Sequence, residues 1–151
     1  TELLNKVIRA SKFNQGFDTA EYLAAALLDL EWHALGSKQI PNDVEAFEAA
    51  ALRKHGIDFA PVPPRYRTAY FAHIWSGGYS SSYYAYLWSE VLAADAFAFM
   101  MEQGGCTTQI GNKFRAEVLS RGSSREPMDS YKAFRGQAPT VDALLKRRGL
   151  K

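Results

Sequence analysis

Apolar residues recur at steps of three and four along most of the chain, and that period is helical. Leu3, Leu4, Val7 and Ile8 predict a helix over residues 2–12, and Phe13-Asn14-Gln15-Gly16-Phe17 interrupts it. Asp18 or Thr19 is placed to cap a second helix reaching about Leu35, with Tyr22, Leu23, Ala26, Leu27 and Leu30 on one face and Gly36 as its stop. Pro41-Asn42-Asp43 opens a third, with Val44, Phe47 and Ala51 inward and Gly56 at its end. Pro61, Pro63 and Pro64 form a rigid connection, because each proline fixes its own φ and disfavours helix before it. The longest element follows: residues 80–103 hold no Pro or Gly, and Gly104-Gly105 closes them. Shorter helices are predicted over 112–121, 127–135 and 140–148, each followed by a glycine. No segment alternates polar and apolar residues long enough to predict a strand, and there is no internal repeat. The expectation is an all-α fold, a single helical domain over residues 1–151.

The long helix carries two patterns. Tyr84, Leu87, Val91, Ala94, Ala98 and Met101 make one continuous seam that predicts a packing face. Tyr79, Tyr83, Tyr86 and Glu90 fall on a second stripe, roughly 90° from the first. A buried phenol needs a hydrogen-bond partner, so a row of them fills a core awkwardly. The plain alternative puts the row at the core edge with its hydroxyls in water. Gly77-Gly78 precedes the row and permits backbone shapes closed to other residues. Were Tyr79 inside the helix, it would lie about 10 Å along the axis from Tyr86. Both reach one group only if Tyr79 sits on the loop and leans back. His73, among Phe71, Ile74 and Trp75, reads either as a satisfied core histidine or as a hydrogen-bond donor to a substrate carbonyl.

Composition narrows the classes. With 151 residues and 47% apolar content, one domain with a real core is expected. No apolar run is long enough to span a membrane, and no secretory signal pattern is visible. The chain begins at Thr1 rather than Met, which points to a processed product or a piece of a longer protein. The single Cys106 rules out an internal disulfide framework. Net charge is +2, with Lys146, Arg147 and Arg148 in the last turn of a predicted helix, where cations complement the dipole. That is no nucleic-acid footprint. His33, His55 and His73 are too far apart for any two to share a helical turn, and there is no His-Glu-x-x-His, Cys pair, phosphate loop or Gly-x-Ser-x-Gly elbow. The residues alone describe a helical ligand-binding domain without a complete catalytic apparatus and with no metal ligands.

Three ordered runs carry a resemblance: Pro64-Arg65-Tyr66-Arg67, Tyr70-Phe71-Ala72-His73-Ile74-Trp75-Ser76-Gly77-Gly78-Tyr79 and Tyr83-Tyr84-Ala85-Tyr86-Leu87-Trp88-Ser89-Glu90. Together with Phe13-Asn14-Gln15-Gly16-Phe17, residues 21–29, Glu102-Gln103-Gly104-Gly105 and Arg148-Gly149-Leu150, they resemble the C-terminal part of the thimet-oligopeptidase-like zinc peptidases. Within that family the bacterial peptidyl-dipeptidase (dipeptidyl carboxypeptidase) branch is the nearest likeness. The step of six from His73 to Tyr79 suits it, and Trp75-Ser76 stand where Phe-Gly is more usual. The resemblance implies a helical clamshell, with zinc and a water-activating glutamate held upstream on His-Glu-x-x-His. It implies that Tyr86 and His73 hydrogen-bond the scissile carbonyl and that Tyr79, delivered by Gly77 and Gly78, closes on an oligopeptide that Tyr83 contacts. This chain would then be one wall, inactive alone, with the zinc-bearing remainder as its partner. Its compartment would be the cytoplasm, or the periplasm behind an upstream signal. The competing reading is a self-standing helical peptide-binding or scaffold domain.

Overall fold

The computed structural model describes residues 2–151, and among them every regular element is helical. The chain forms two compact units, Thr1–Tyr86 and Leu87–Lys151, with the boundary falling in the first turn of the helix that begins at Ala85. At 18 residues this helix, expected to be the longest, is one residue shorter than the helix over Gln15–His33.

In the first unit, α1 (Glu2–Ala10) buries none of its residues; Leu3 is 75% exposed, and Leu4, Val7 and Ile8 are also open. Helix α2 (Gln15–His33) starts earlier than Asp18 because Asn14 turns the chain in a left-handed conformation, φ 59°. Its inner face is Ala24, Ala25, Ala26, Leu28 and Asp29, whereas Leu23 and Leu30, expected inside, are exposed. Alanines there let the neighbouring backbone approach closely. Helix α3 (Val44–Lys54) is capped by Asp43, whose Oδ1 accepts from the Ala46 N–H at 2.9 Å. Ala51 is buried as expected, but Val44 is exposed, and Glu48 and Leu52 complete the buried face. A 3-10 turn (Thr68–Tyr70) and the short α4 (Ala72–Trp75) follow the prolines. Phe71, Ile74 and Tyr83 pack on Ala25 and Ala26 to form the core.

The second unit is built on α5 (Ala85–Glu102). The helix begins later than Ser80, because residues 80–84 form a turn in which Ser81 has φ 57°. Val91 and Ala94 are buried as the seam predicts, but Tyr84 and Met101 are exposed. Helix α6 (Thr108–Phe114), capped by Thr107, starts before Asn112 and runs on as a π turn, Arg115–Leu119. Helices α7 (Pro127–Arg135) and α8 (Asp142–Arg148) complete the unit, each ended by a left-handed glycine. Ala96, Phe99, Ile110, Tyr131 and Phe134 form its main core, and Leu144 packs with Val91 and Ala94. Arg148 and Arg147 reach Glu90 at 2.6 and 3.3 Å, so the terminal cations meet an acid as well as a helix end. No helix among the described residues is long and apolar enough to cross a membrane.

Candidate active site

Residues 66–86 of the first unit hold His73 and the tyrosine row, and two buried carboxylates pin this segment from opposite ends. Glu48 on α3 accepts from the Thr68 N–H at 3.0 Å, the Thr68 hydroxyl at 2.9 Å and Arg67 Nε at 2.6 Å. Asp29 on α2 accepts from the N–H groups of Ser81 and Tyr83, each at 2.9 Å. Charge-assisted bonds of this kind are roughly twice as strong as neutral ones and fix the loop backbone at both ends. The indole of Trp75 donates to the Thr68 carbonyl at 2.9 Å, while Trp32 donates to the Thr68 hydroxyl at 2.9 Å. The Trp75 indole thus adds a tether that a phenyl ring would lack.

Between these anchors the aromatic rings converge. Tyr79 leaves the loop and stacks on Tyr86 of α5, with centroids 4.9 Å apart and planes 22° apart. His73 lies 6.1 Å from Tyr79 and 6.2 Å from Tyr86, and Tyr83 fills the space behind, 5.5 and 5.3 Å from His73 and Tyr86. Tyr79 is held by its N–H donating to the His73 carbonyl at 3.0 Å, so the lean that the spacing demands is built into the backbone. Tyr83 is buried, 2% exposed, and its ring also stacks on Tyr22 at 5.1 Å. Its backbone carbonyl accepts from the Tyr22 hydroxyl at 3.0 Å. His73 Nδ1 is buried and without a hydrogen-bond partner among the described residues.

The glycines serve close packing and turn geometry. A Cβ on Gly77 would sit 2.9 Å from His73 Cα and 3.0 Å from the His73 carbonyl oxygen, both backbone atoms, whereas Gly78 takes φ +79°. Gly77→Ala must therefore displace the end of α4, at a cost of about 1–3 kcal/mol. Gly16→Ala, on α2 where nothing lies within 4 Å, is expected to stabilise by about 0.4–1 kcal/mol. Urea denaturation with the His73 ring resonances as a reporter checks both. Equal effects at the two positions would remove the packing role of Gly77.

Burial pushes the Tyr83 phenol up to about 12. The side-chain hydrogen bond with Tyr79, followed by burial, raises Tyr86. In the second unit burial and the bond to Asp95 raise Tyr131. A phenol raised on folding contributes stability that is complete below its unfolded pKa near 10 and fades as pH climbs through the folded value. For Tyr83 the loss therefore falls between about 10 and about 12. Tyrosinate absorbance should rise in two phases, the later one coinciding with loss of near-ultraviolet circular dichroism. A single phase at the ordinary phenol pKa in a folded chain would contradict these environments.

The expected residues His73, Tyr79, Tyr83 and Tyr86 come together, with Gly77 and Gly78 shaping the loop between them. Glu90 belongs to the second unit, bound by arginines. Tyr66 was absent from the expected set, yet its ring lies 4.7 Å from His73 and 6.0 Å from Tyr83. Asp29 and Glu48, which hold the segment, were absent too; their signal was a carboxylate inside an apolar helical run. Zinc does not fit these residues. His33 Nδ1 is engaged by Asp29 at 2.7 Å and His55 by Glu31 at 2.8 Å, and no group of three or more His, Cys, Asp or Glu gathers among the described residues.

Residues 1–150 match Peptidase family M3. The chain is 46% identical over 149 residues to dipeptidyl carboxypeptidase of Escherichia coli, covering 99% of this chain and 22% of the relative. Oligopeptidase A of E. coli is 38% identical over 151 residues, again 99% of this chain and 22% of the relative. Saccharolysin of Saccharomyces cerevisiae is 28% identical over 158 residues, 98% and 21%. The chain thus spans about a fifth of the length of these relatives. An all-helical chain matched from end to end in this way belongs to Peptidase family M3.

Proposed function

We propose that this chain is the C-terminal part of a zinc peptidase releasing dipeptides from the C-terminus of oligopeptides, and that it holds the scissile carbonyl. The observation that carries this reading is that the rings of His73, Tyr79 and Tyr86, from three separate backbone positions, lie within 4.9–6.2 Å of one another. Tyr86, whose phenol is protonated at neutral pH, donates to the carbonyl oxygen as negative charge develops there. His73 joins it through Nε2, since Nδ1 is buried. Tyr79 closes from the loop, Tyr83 offers only its hydroxyl, and the peptide backbone passes along Gly77 and Gly78. Donors fixed before the reaction need no reorganisation in it, which makes such an arrangement effective.

Zinc and the water-activating glutamate belong to a segment of the parent outside these 151 residues, and this chain alone is inactive. The compartment follows the parent: cytoplasm, or periplasm behind a signal segment. The experiment is to express the family-length protein and the chain alone, and to follow oligopeptide products by mass spectrometry with zinc measured after dialysis. Dipeptide release by the long protein, and far less than one zinc per short chain, is the expected result. A family-length protein without peptidase activity would leave the peptide-binding or scaffold reading.

A further inference from the structure

Asp29 is fully buried, at 0% exposure, on a helix whose other buried residues are Ala and Leu. An isolated carboxylate there is costly, and both its oxygens face donors. Oδ1 accepts from the Ser81 N–H at 2.9 Å and meets His33 Nδ1 at 2.7 Å; Oδ2 accepts from the Tyr83 N–H at 2.9 Å. The bonded segment is the turn before α5, where Ser81 has φ 57°, a conformation that serine seldom takes unaided. Tyr83 lies in this turn and Tyr86 in the first turn of α5, so the backbone that Asp29 grips sets where the Tyr86 phenol points. His33 in turn is placed by α2 itself, with Nδ1 also 2.8 Å from the Asp29 carbonyl oxygen, and its ring lies 5.6 Å from Trp75.

We infer that Asp29, fixed by His33, is a positioning residue: it holds the Ser81–Tyr83 turn in the conformation that brings Tyr86 to the same point as His73 and Tyr79. The inference rests on the proposed function for its catalytic consequence, but not for its structural one. A hydrogen-bonded pair beneath a turn of this kind controls geometry rather than affinity, so its loss appears in kcat.

The decisive pair of variants is His33→Ala and His33→Asn. Both remove the ring beside Trp75; only Asn returns an N–H at the position of Nδ1. In the family-length enzyme, His33→Ala is expected to lower kcat about tenfold or more with KM within about twofold, and His33→Asn to recover most of it. In the 151-residue chain carrying labelled tyrosine, the Tyr83 and Tyr86 ring resonances should shift in His33→Ala and return in His33→Asn. Asp29→Asn is the stronger test, because its amide nitrogen must face an N–H; kcat should fall about 10²-fold. Should Asp29→Asn not fold, the His33 pair decides. Equal kcat and equal tyrosine spectra in the two His33 variants overturn the inference. A family-length protein with no peptidase activity overturns the catalytic reading, while the tyrosine spectra still decide the positioning.

Discussion

Tyr86→Phe in the family-length enzyme is expected to lower kcat by about 10²–10³, roughly 2.7–4 kcal/mol, with KM little changed. Phenylalanine keeps the stack on Tyr79, at 4.9 Å, and the edge contact with His73, at 6.2 Å. What it removes is one hydroxyl, on a side chain 39% exposed and so able to meet a ligand. A donor that engages the carbonyl mainly as charge develops lowers the barrier without tightening ground-state binding, which is why kcat carries the loss. Tyr84→Phe is the control. Tyr84 is two residues away in sequence, 50% exposed, and its ring stands outside the His73 cluster; its turnover should stay within about twofold. The comparison is made at matched zinc content and matched thermal stability. Small, equal losses in both variants would return the tyrosine row to a structural role.

The sequence marks helices well where local signals agree. Pro127 and Gly136 bracket α7, and Gly104 and Gly105 close α5 with left-handed φ values of 93° and 99°. It fails where the deciding contact is distant. Nothing in residues 80–84 stops a helix, since no Pro or Gly occurs there; Asp29, 52 residues before Ser81, holds that turn open. Helix α2 misleads for another reason. Apolar residues surround it nearly all the way round, so Leu23, Leu30 and the alanines define competing faces, and only tertiary packing selects the alanine side. Tyr84 and Met101 extend the seam of α5 in sequence, yet they lie outside the buried stretch from Val91 to Phe99.

The chemistry of residues 66–86 was more legible than its support. Phenols at helical spacing, a histidine and a glycine pair are local features, and the step from Tyr79 to Tyr86 already requires the loop residue to lean. The carboxylates beneath are not local. Asp29 in Leu27-Leu28-Asp29-Leu30 and Glu48 in Phe47-Glu48-Ala49-Ala50-Ala51 look like solvated helix positions until their partners appear. A polar residue at an inward register of an apolar run is the sign that could have found both. Gly77 shows the opposite error: a pair of glycines suggests freedom, whereas the contact with His73 backbone makes the first of them a packing requirement.

The same sign identifies Asp95 within Ala93-Ala94-Asp95-Ala96 of α5, and its removal is expected to be the largest single loss of stability in the second unit. Asp95 is buried; its Oδ2 accepts from the Tyr131 hydroxyl at 2.5 Å and from Arg135 Nε at 3.2 Å. Tyr131 is buried, and the Arg135 side chain is 14% exposed with its guanidinium 4.9 Å from the Phe99 ring centroid. Asp95→Ala leaves a buried hydroxyl with only a long contact to the Leu92 carbonyl, at 3.5 Å, and a guanidinium whose remaining acid, Glu102, is 3.6 Å away. Breaking a buried pair from one side costs about 3–5 kcal/mol, a large part of the 5–15 kcal/mol typical of a whole domain. Adding Tyr131→Phe removes the stranded hydroxyl and should restore about 1–2 kcal/mol, so the two substitutions are not additive. Urea denaturation measures the loss, and amide hydrogen exchange along α5 and α7 locates it. A cost below about 1 kcal/mol, the size of an exposed ion pair, would mean that Asp95 is not the keystone of this core.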